Sequence, residues 1–85
     1  MKVLYKPTFV RQYKKLPKAL QQEVKEKIEL FQKDPCHSFL KTHKLKGPLK
    51  NCWSFSVNYE HRIVFEYETK TTAALLAVGD HSVYK

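Results

Sequence analysis

The spacing of apolar residues changes once along this chain, and that change limits what it can fold into. Before Asp34-Pro35 the apolar residues recur at helical intervals: Phe9, Tyr13 and Leu16, then Leu20, Val24, Ile28 and Phe31, with Leu30 beside them. From Cys52 they alternate. Trp53, Phe55, Val57 and Tyr59 are interleaved with Ser54, Ser56 and Asn58, and Ile63, Phe65 and Tyr67 with Arg62, Val64 and Glu66. A period near 3.6 lays a stripe along a helix, and a period of two lays one face on a strand. Helical spacing followed by alternation specifies helices packed on a sheet.

Punctuation along the chain divides these patterns into elements. Lys2–Tyr5 reads as a short strand, stopped by Pro7. Thr8 reads as the N-cap of a first helix running to about Leu16. Pro17 starts a second helix, where its missing N–H costs nothing, and Asp34-Pro35 ends that helix after about Lys33. Its outer face offers Glu23–Lys27 and Glu29–Lys33 as i,i+4 ion pairs. Gly47-Pro48 marks a turn inside a loop that reaches to residue 51. A strand then runs from Cys52 to Tyr59, and Asn58 to His61 turns tightly into the strand Arg62–Glu68. Lys70-Thr71-Thr72 turns again into Ala73–Val78, whose nearly unbroken apolar run suits a strand covered on both sides. Gly79-Asp80 breaks it, and His81 to Lys85 is a short tail. The expectation is a single α+β domain over residues 1–85, ordered β-α-α-β-β-β, with a helical hairpin on one face of an antiparallel sheet.

Charge narrows the partners. The 85 residues carry 16 Lys+Arg against 8 Asp+Glu, a net charge of +8. Such an excess repels itself and attracts a polyanion: nucleic acid, an anionic membrane surface or an acidic protein. The membrane is the weakest of these. No apolar stretch approaches the roughly 20 residues that span a bilayer, and Lys6 and Pro7 interrupt any signal-peptide core, so a cytoplasmic location is expected. Cys36 and Cys52 read as free thiols in that setting. The cysteines make no CxxC and the histidines (His37, His43, His61 and His81) no HxxxH, so no metal site is expected. The most cationic stretch is 36–51, where Lys41, Lys44, Lys46 and Lys50 stand with His37 and His43 and no acid.

Three segments carry a family resemblance: HKLKGPLKN before the strands, the strand–turn–strand CWSFSVNYEHRIVFEY, and the terminal GDHSVYK. In order and spacing they resemble the RelE/ParE toxin superfamily, with YoeB- and YafQ-like messenger-RNA interferases the nearest in pattern. The resemblance spans essentially the whole chain. It implies a RelE-like fold and a ribonuclease that cuts messenger RNA, usually on the ribosome, with no metal and no cofactor. It also implies a cognate acidic antitoxin that wraps the toxin, and a basic groove between the sheet and the loop before its second strand. Residue by residue, His81 matches a C-terminal general acid. His43 matches a catalytic histidine of YafQ-like members, where YoeB-like members have a glutamate. Arg62 matches a phosphate-binding arginine, and Glu60 lies near an acidic residue important in YafQ-like members. Tyr84 matches a C-terminal aromatic, although Ser82-Val83 intervenes. Ser56 stands where YafQ-like members have a second histidine.

The chemistry asks for few parts. A base takes the 2′-hydroxyl proton, the oxygen attacks the adjacent phosphorus, an acid protonates the departing 5′-oxygen, and positive charge stabilises the phosphorane. Imidazole serves either proton-transfer role near neutrality. His81 reads as the acid and His43 or Glu60 as the base, while the planar fork of Arg62 suits a phosphate. Lys41, Lys44, Lys46 and Lys50 suit contact with the RNA backbone, His61 stands beside that phosphate, and Tyr84 suits stacking on a base. Each residue also has a plainer reading. His81 and His43 read as surface histidines, His61 as a structural strand-start residue, Arg62 as a partner for Glu66 on the same strand face, and the lysines as a solvated face. Two other functions compete: a ParE-like toxin that inhibits DNA gyrase without catalysis, and a basic RNA-binding domain that has lost activity.

Overall fold

The computed structural model describes residues 1–47 and 51–80. Lys50, His81 and Tyr84 lie outside the described residues. The elements are β1 (Lys2–Tyr5), α1 (Pro7–Lys14), α2 (Lys18–Lys33), a 3-10 turn (Ser38–Leu40), β2 (His43–Lys44), β3 (Trp53–Ser56), β4 (Arg62–Thr69) and β5 (Thr72–Gly79). They build one five-stranded sheet in the order β1-β5-β4-β3-β2. The helical hairpin carries the chain from one edge of the sheet to the other. β2 to β5 then return antiparallel until β5 meets β1, which it joins in parallel. The α+β expectation holds, with two additions to it: the edge strand β2 and the parallel pairing of β1.

The helix boundaries shift for local reasons. Thr8 is not the N-cap of α1. Lys6 takes that place in extended conformation, and Pro7 enters the first turn, where its fixed φ suits a helix start. The Thr8 hydroxyl instead accepts a bond from Arg11 Nη2 at 3.1 Å. α2 likewise starts at Lys18, with Pro17 as the extended N-cap. Gln21 reaches back so that its Nε2 donates to the carbonyls of Tyr13 and Leu16 at 3.0 and 3.1 Å, the first of which also accepts from the Leu16 N–H. The expected ion pairs Glu23–Lys27 and Glu29–Lys33 do not form. Among the described residues the ion pair is Lys6–Glu68 at 3.9 Å.

The core lies between α2 and one face of the sheet. Phe31 is fully buried and stacks on Phe55 with centroids 4.5 Å apart, while meeting Phe65 edge-on at 4.8 Å. Val24, Ile28, Ile63, Leu75 and Val78 close around them, with Phe9 joining from α1. A side-chain bond ties α1 to β5: the Val78 N–H donates to Gln12 Oε1 at 2.9 Å. Opposite Val64/Phe65 the register slips, so that Leu76 is the extra residue of a β-bulge.

β3 departs most from its sequence pattern. It ends at Ser56, so Val57 lies outside the strand although buried, and Tyr59 is 95% exposed and off the apolar face. Ser54 and Ser56, expected on the solvent side, are buried as well. Asn58 explains the early end. Its Oδ1 accepts from the N–H groups of Glu60 and His61, both at 2.9 Å, and that turn competes with further sheet pairing. Among the described residues, no helix is long and apolar enough to cross a membrane.

Candidate nucleic-acid interface

Strand register divides the side chains between the two sheet faces. Trp53, Phe55, Ile63, Phe65, Leu75 and Val78 point toward the helices and belong to or pack on the core. The pleat therefore turns their neighbours the other way: Ser54 and Ser56 on β3, Arg62 and Val64 on β4. His43 pairs with Ser54 and shares that second face. Arg62 pairs with Ser56. His43 and Arg62 thus stand two strands apart and two residues along, roughly 12 Å between backbones by standard sheet spacings. Two long side chains on one face at that separation can flank a single phosphodiester.

At the end of β3 that leads into the Asn58 turn, the sheet opens into a cavity of about 410 Å³. Lys27 of α2, Lys41 and Arg62 line it as cations, Phe39 and Tyr59 as rings, and among the described residues no carboxylate lines it. Lys41 owes its place to backbone geometry. It sits at φ 50 after the 3-10 turn, in the left-handed region, and reverses the chain there. The Arg62 guanidinium is oriented by the turn: its Nη1 donates to the carbonyls of Asn58 at 2.8 Å and His61 at 3.1 Å, with Tyr59 O at 3.4 Å. All three contacts use one nitrogen. Nη2 and Nε have no partner among the described residues, so the fork is held at one side and open at the other. The plainer alternative, a pairing of Arg62 with Glu66, is not made. The turn is also tied to the helix layer, because Asn58 Nδ2 donates to Glu23 Oε2 at 3.3 Å.

The remaining residues singled out in the sequence fall around this centre. His43 is exposed on the edge strand, with its Nδ1 3.0 Å from the Lys41 carbonyl. Glu60 is exposed in the turn beside Arg62. His61 is half-buried, with Nδ1 3.1 Å from Asn58 Oδ1, which gives it a place in holding the turn. Lys44 and Lys46 are exposed along the β2 edge, outside the cavity lining. Lys27, Phe39 and Tyr59 were not anticipated. Lys27 reads in sequence as half of a helix ion pair, and Tyr59 as the last residue of an apolar strand face. Phe39, the one Phe, Tyr or Trp in residues 36–51, was the available signal.

The clear pKa displacements lie elsewhere. Burial, and next the Glu66 carboxylate, push the Cys52 thiol up. Burial, and next the Cys36 thiolate, raise the Tyr67 hydroxyl. Both cysteines are free, and among the described residues no three His, Cys, Asp or Glu side chains gather as metal ligands would.

Neither a protein-family model nor a curated protein matches the sequence. Solved structures do match the fold. The crystal structure of YafQ from E. coli superposes with a TM-score of 0.80 at 16% identity, covering 98% of this chain and 96% of that one. This chain has the RelE-like toxin fold. The toxin–antitoxin complex RelBE2 from Mycobacterium tuberculosis gives 0.78 at 21% identity over 94% and 96% of the two chains. The YoeB/ParE toxin from Agrobacterium tumefaciens gives 0.77 at 19% over 95% and 99%. In fold the chain is therefore similar to these YafQ, RelBE2 and YoeB/ParE structures. The RelE-like sheet presents Arg62 and His43 on the face away from the helical hairpin, with the basic cavity at one end.

Proposed function

We propose that this protein is the toxin of a type II toxin–antitoxin pair, a metal-independent endoribonuclease that cuts messenger RNA on the ribosome. The observation that carries the reading is the half-anchored guanidinium of Arg62. It is aimed by three backbone carbonyls, keeps two nitrogens without a partner among the described residues, and shares a cavity with two lysines and, among those residues, no acid. That is a phosphate site in chemistry and geometry. In the reaction His43 or Glu60 takes the 2′-hydroxyl proton, the oxygen attacks the phosphorus, and His81 gives a proton to the 5′-oxygen as the P–O bond breaks. Arg62 stabilises the phosphorane charge. Lys41, Lys44, Lys46 and Lys50 hold the backbone, His61 supports the turn beside the phosphate, and Tyr84 stacks on a base. The whole chain acts as one domain in the cytoplasm.

The partner reading rests on the fold and the charge. YoeB–YefM from Staphylococcus aureus and RelBE2 are toxin–antitoxin complexes of this fold. A chain of net charge +8 suits an acidic antitoxin that is partly disordered when free and folds on this surface. Primer extension on messenger RNA from cells expressing wild type, Arg62→Ala or His81→Ala tests the proposal. Cleavage by wild type and its loss in both variants is the expected result. Intact messenger RNA together with inhibited gyrase supercoiling overturns it in favour of a ParE-like toxin.

A further inference from the structure

Two aromatic rings of this protein are exposed far beyond what packing explains. Phe39 is 70% exposed and Tyr59 is 95% exposed. Single exposed aromatics are ordinary on protein surfaces. These two come from segments twenty residues apart, the 3-10 turn and the loop between β3 and β4, and line the same cavity. Phe39 meets one ring, the edge of His37 at 4.8 Å, and Tyr59 meets none among the described residues. Their positions are nevertheless fixed. The Phe39 N–H donates to His37 Nδ1 at 3.1 Å, and Tyr59 sits inside the turn that the Asn58 side chain closes. They are anchored backbones carrying uncommitted rings.

The space between them has the character of a nucleotide site. A volume of about 410 Å³ lies at the small end of ligand pockets, the size of one mononucleotide. Cations at Lys27, Lys41 and Arg62 suit phosphate, and flat apolar rings suit a base face. A duplex keeps its base faces stacked inside, so such rings select unpaired strands. We propose that Phe39 and Tyr59 are the stacking walls of a subsite that seats one unpaired nucleotide of single-stranded RNA, with its phosphate on Arg62 and the neighbouring phosphates of the strand on Lys27 and Lys41. This rests on the ribonuclease reading for its choice of RNA. It adds to that reading a demand for an unstacked base beside the phosphate on Arg62, and two residues that set affinity for it.

Binding and cutting separate the two ideas. A fluorescent single-stranded oligonucleotide with 2′-O-methyl sugars lacks the attacking hydroxyl and reports binding alone by anisotropy. Cleavage of the matching RNA, presented as messenger on ribosomes, is followed with the same proteins. Phe39→Leu and Tyr59→Leu keep an apolar side chain and remove the π face, at positions exposed enough to leave the fold intact. Each is expected to weaken oligonucleotide binding roughly 5- to 100-fold, while Tyr59→Phe and Tyr59→Trp stay near wild type. Binding to a blunt duplex of the same sequence is expected to be weak and unaltered by either leucine. The inference is overturned if wild type does not bind the single strand or if both leucine variants bind within twofold of it. It is also overturned if the leucines weaken only an acidic peptide. Wild type that binds but does not cut ends the ribonuclease reading and leaves the subsite standing. Wild type that cuts beside leucine variants with unchanged binding does the reverse.

Discussion

At the scale of single residues, Arg62 is the side chain on which most depends. Arg62→Ala leaves the Asn58 carbonyl without its donor, at a cost of about 1–3 kcal/mol if it stays buried, while the His61 carbonyl keeps the Val57 N–H. It also removes the fork from the cavity. Arg62→Lys keeps the charge, but a point donor cannot hold the turn and a phosphate together. RNA cleavage is therefore expected to fall by more than tenfold in both variants, with a lower unfolding midpoint in urea for the alanine. Full activity of Arg62→Lys would show that charge alone suffices. The cysteines give a second test. Burial and Glu66 raise the Cys52 thiol, which leaves less thiolate at any given pH, whereas Cys36 is exposed. Alkylation followed by mass spectrometry should mark Cys36 first, and the Cys52 rate should climb only at higher pH. Equal rates near neutrality would mean that Cys52 is not shielded. The sequence pointed to Arg62 because an arginine among fourteen lysines suggests a geometric role. Lys27 and Tyr59 were hidden, since nothing local tells that a turn will bring a strand end beside a helix face.

Elements show why the fold was legible and where it was not. α2 holds the sheet through Phe31, whose ring meets both Phe55 and Phe65. Phe31→Ala is expected to cost about 3–5 kcal/mol, most of the roughly 5 kcal/mol at the low end of domain stability, where a chain this small stands. The variant should be largely unfolded by circular dichroism at 37 °C, and a cooperative melt near that of wild type would contradict this packing. Gln21→Ala, which removes bonds to carbonyls at the end of α1, should cost only about 1 kcal/mol in urea unfolding. The helical stripe through Val24, Ile28 and Phe31 and the alternation of Phe55, Ile63 and Phe65 are local patterns, so they could be read directly. β2 is different. Two residues in a lysine-rich loop, His43 and Lys44, become a strand because β3 offers them a free edge. That pairing is tertiary and leaves no periodicity. The early end of β3 belongs to the same class, for there a side-chain turn at Asn58 won over the apolar alternation.

Over the whole molecule the question is whether RNA sees a diffuse cloud of charge or a defined site. A net charge of +8 attracts polyanions from every side, yet beyond a Debye length of about 8 Å a lysine adds little to a bound strand at physiological salt. The cavity offers three cations, and each phosphate neutralised on a single strand contributes about −0.7 to the slope of log affinity against log salt. Wild type should therefore show a slope near −2 for a short single strand confined to the cavity. Lys27→Ala and Lys41→Ala should each reduce its magnitude by about 0.7. Lys70 is a fair control. It follows the far end of β4, eight residues beyond Arg62 and roughly 25 Å away along an extended strand, so Lys70→Ala should leave the slope unchanged. Anisotropy titrations over a range of salt concentrations measure all four slopes. If Lys70→Ala lowers the slope as much as Lys27→Ala does, the strand is held by overall charge and the cavity does not position it.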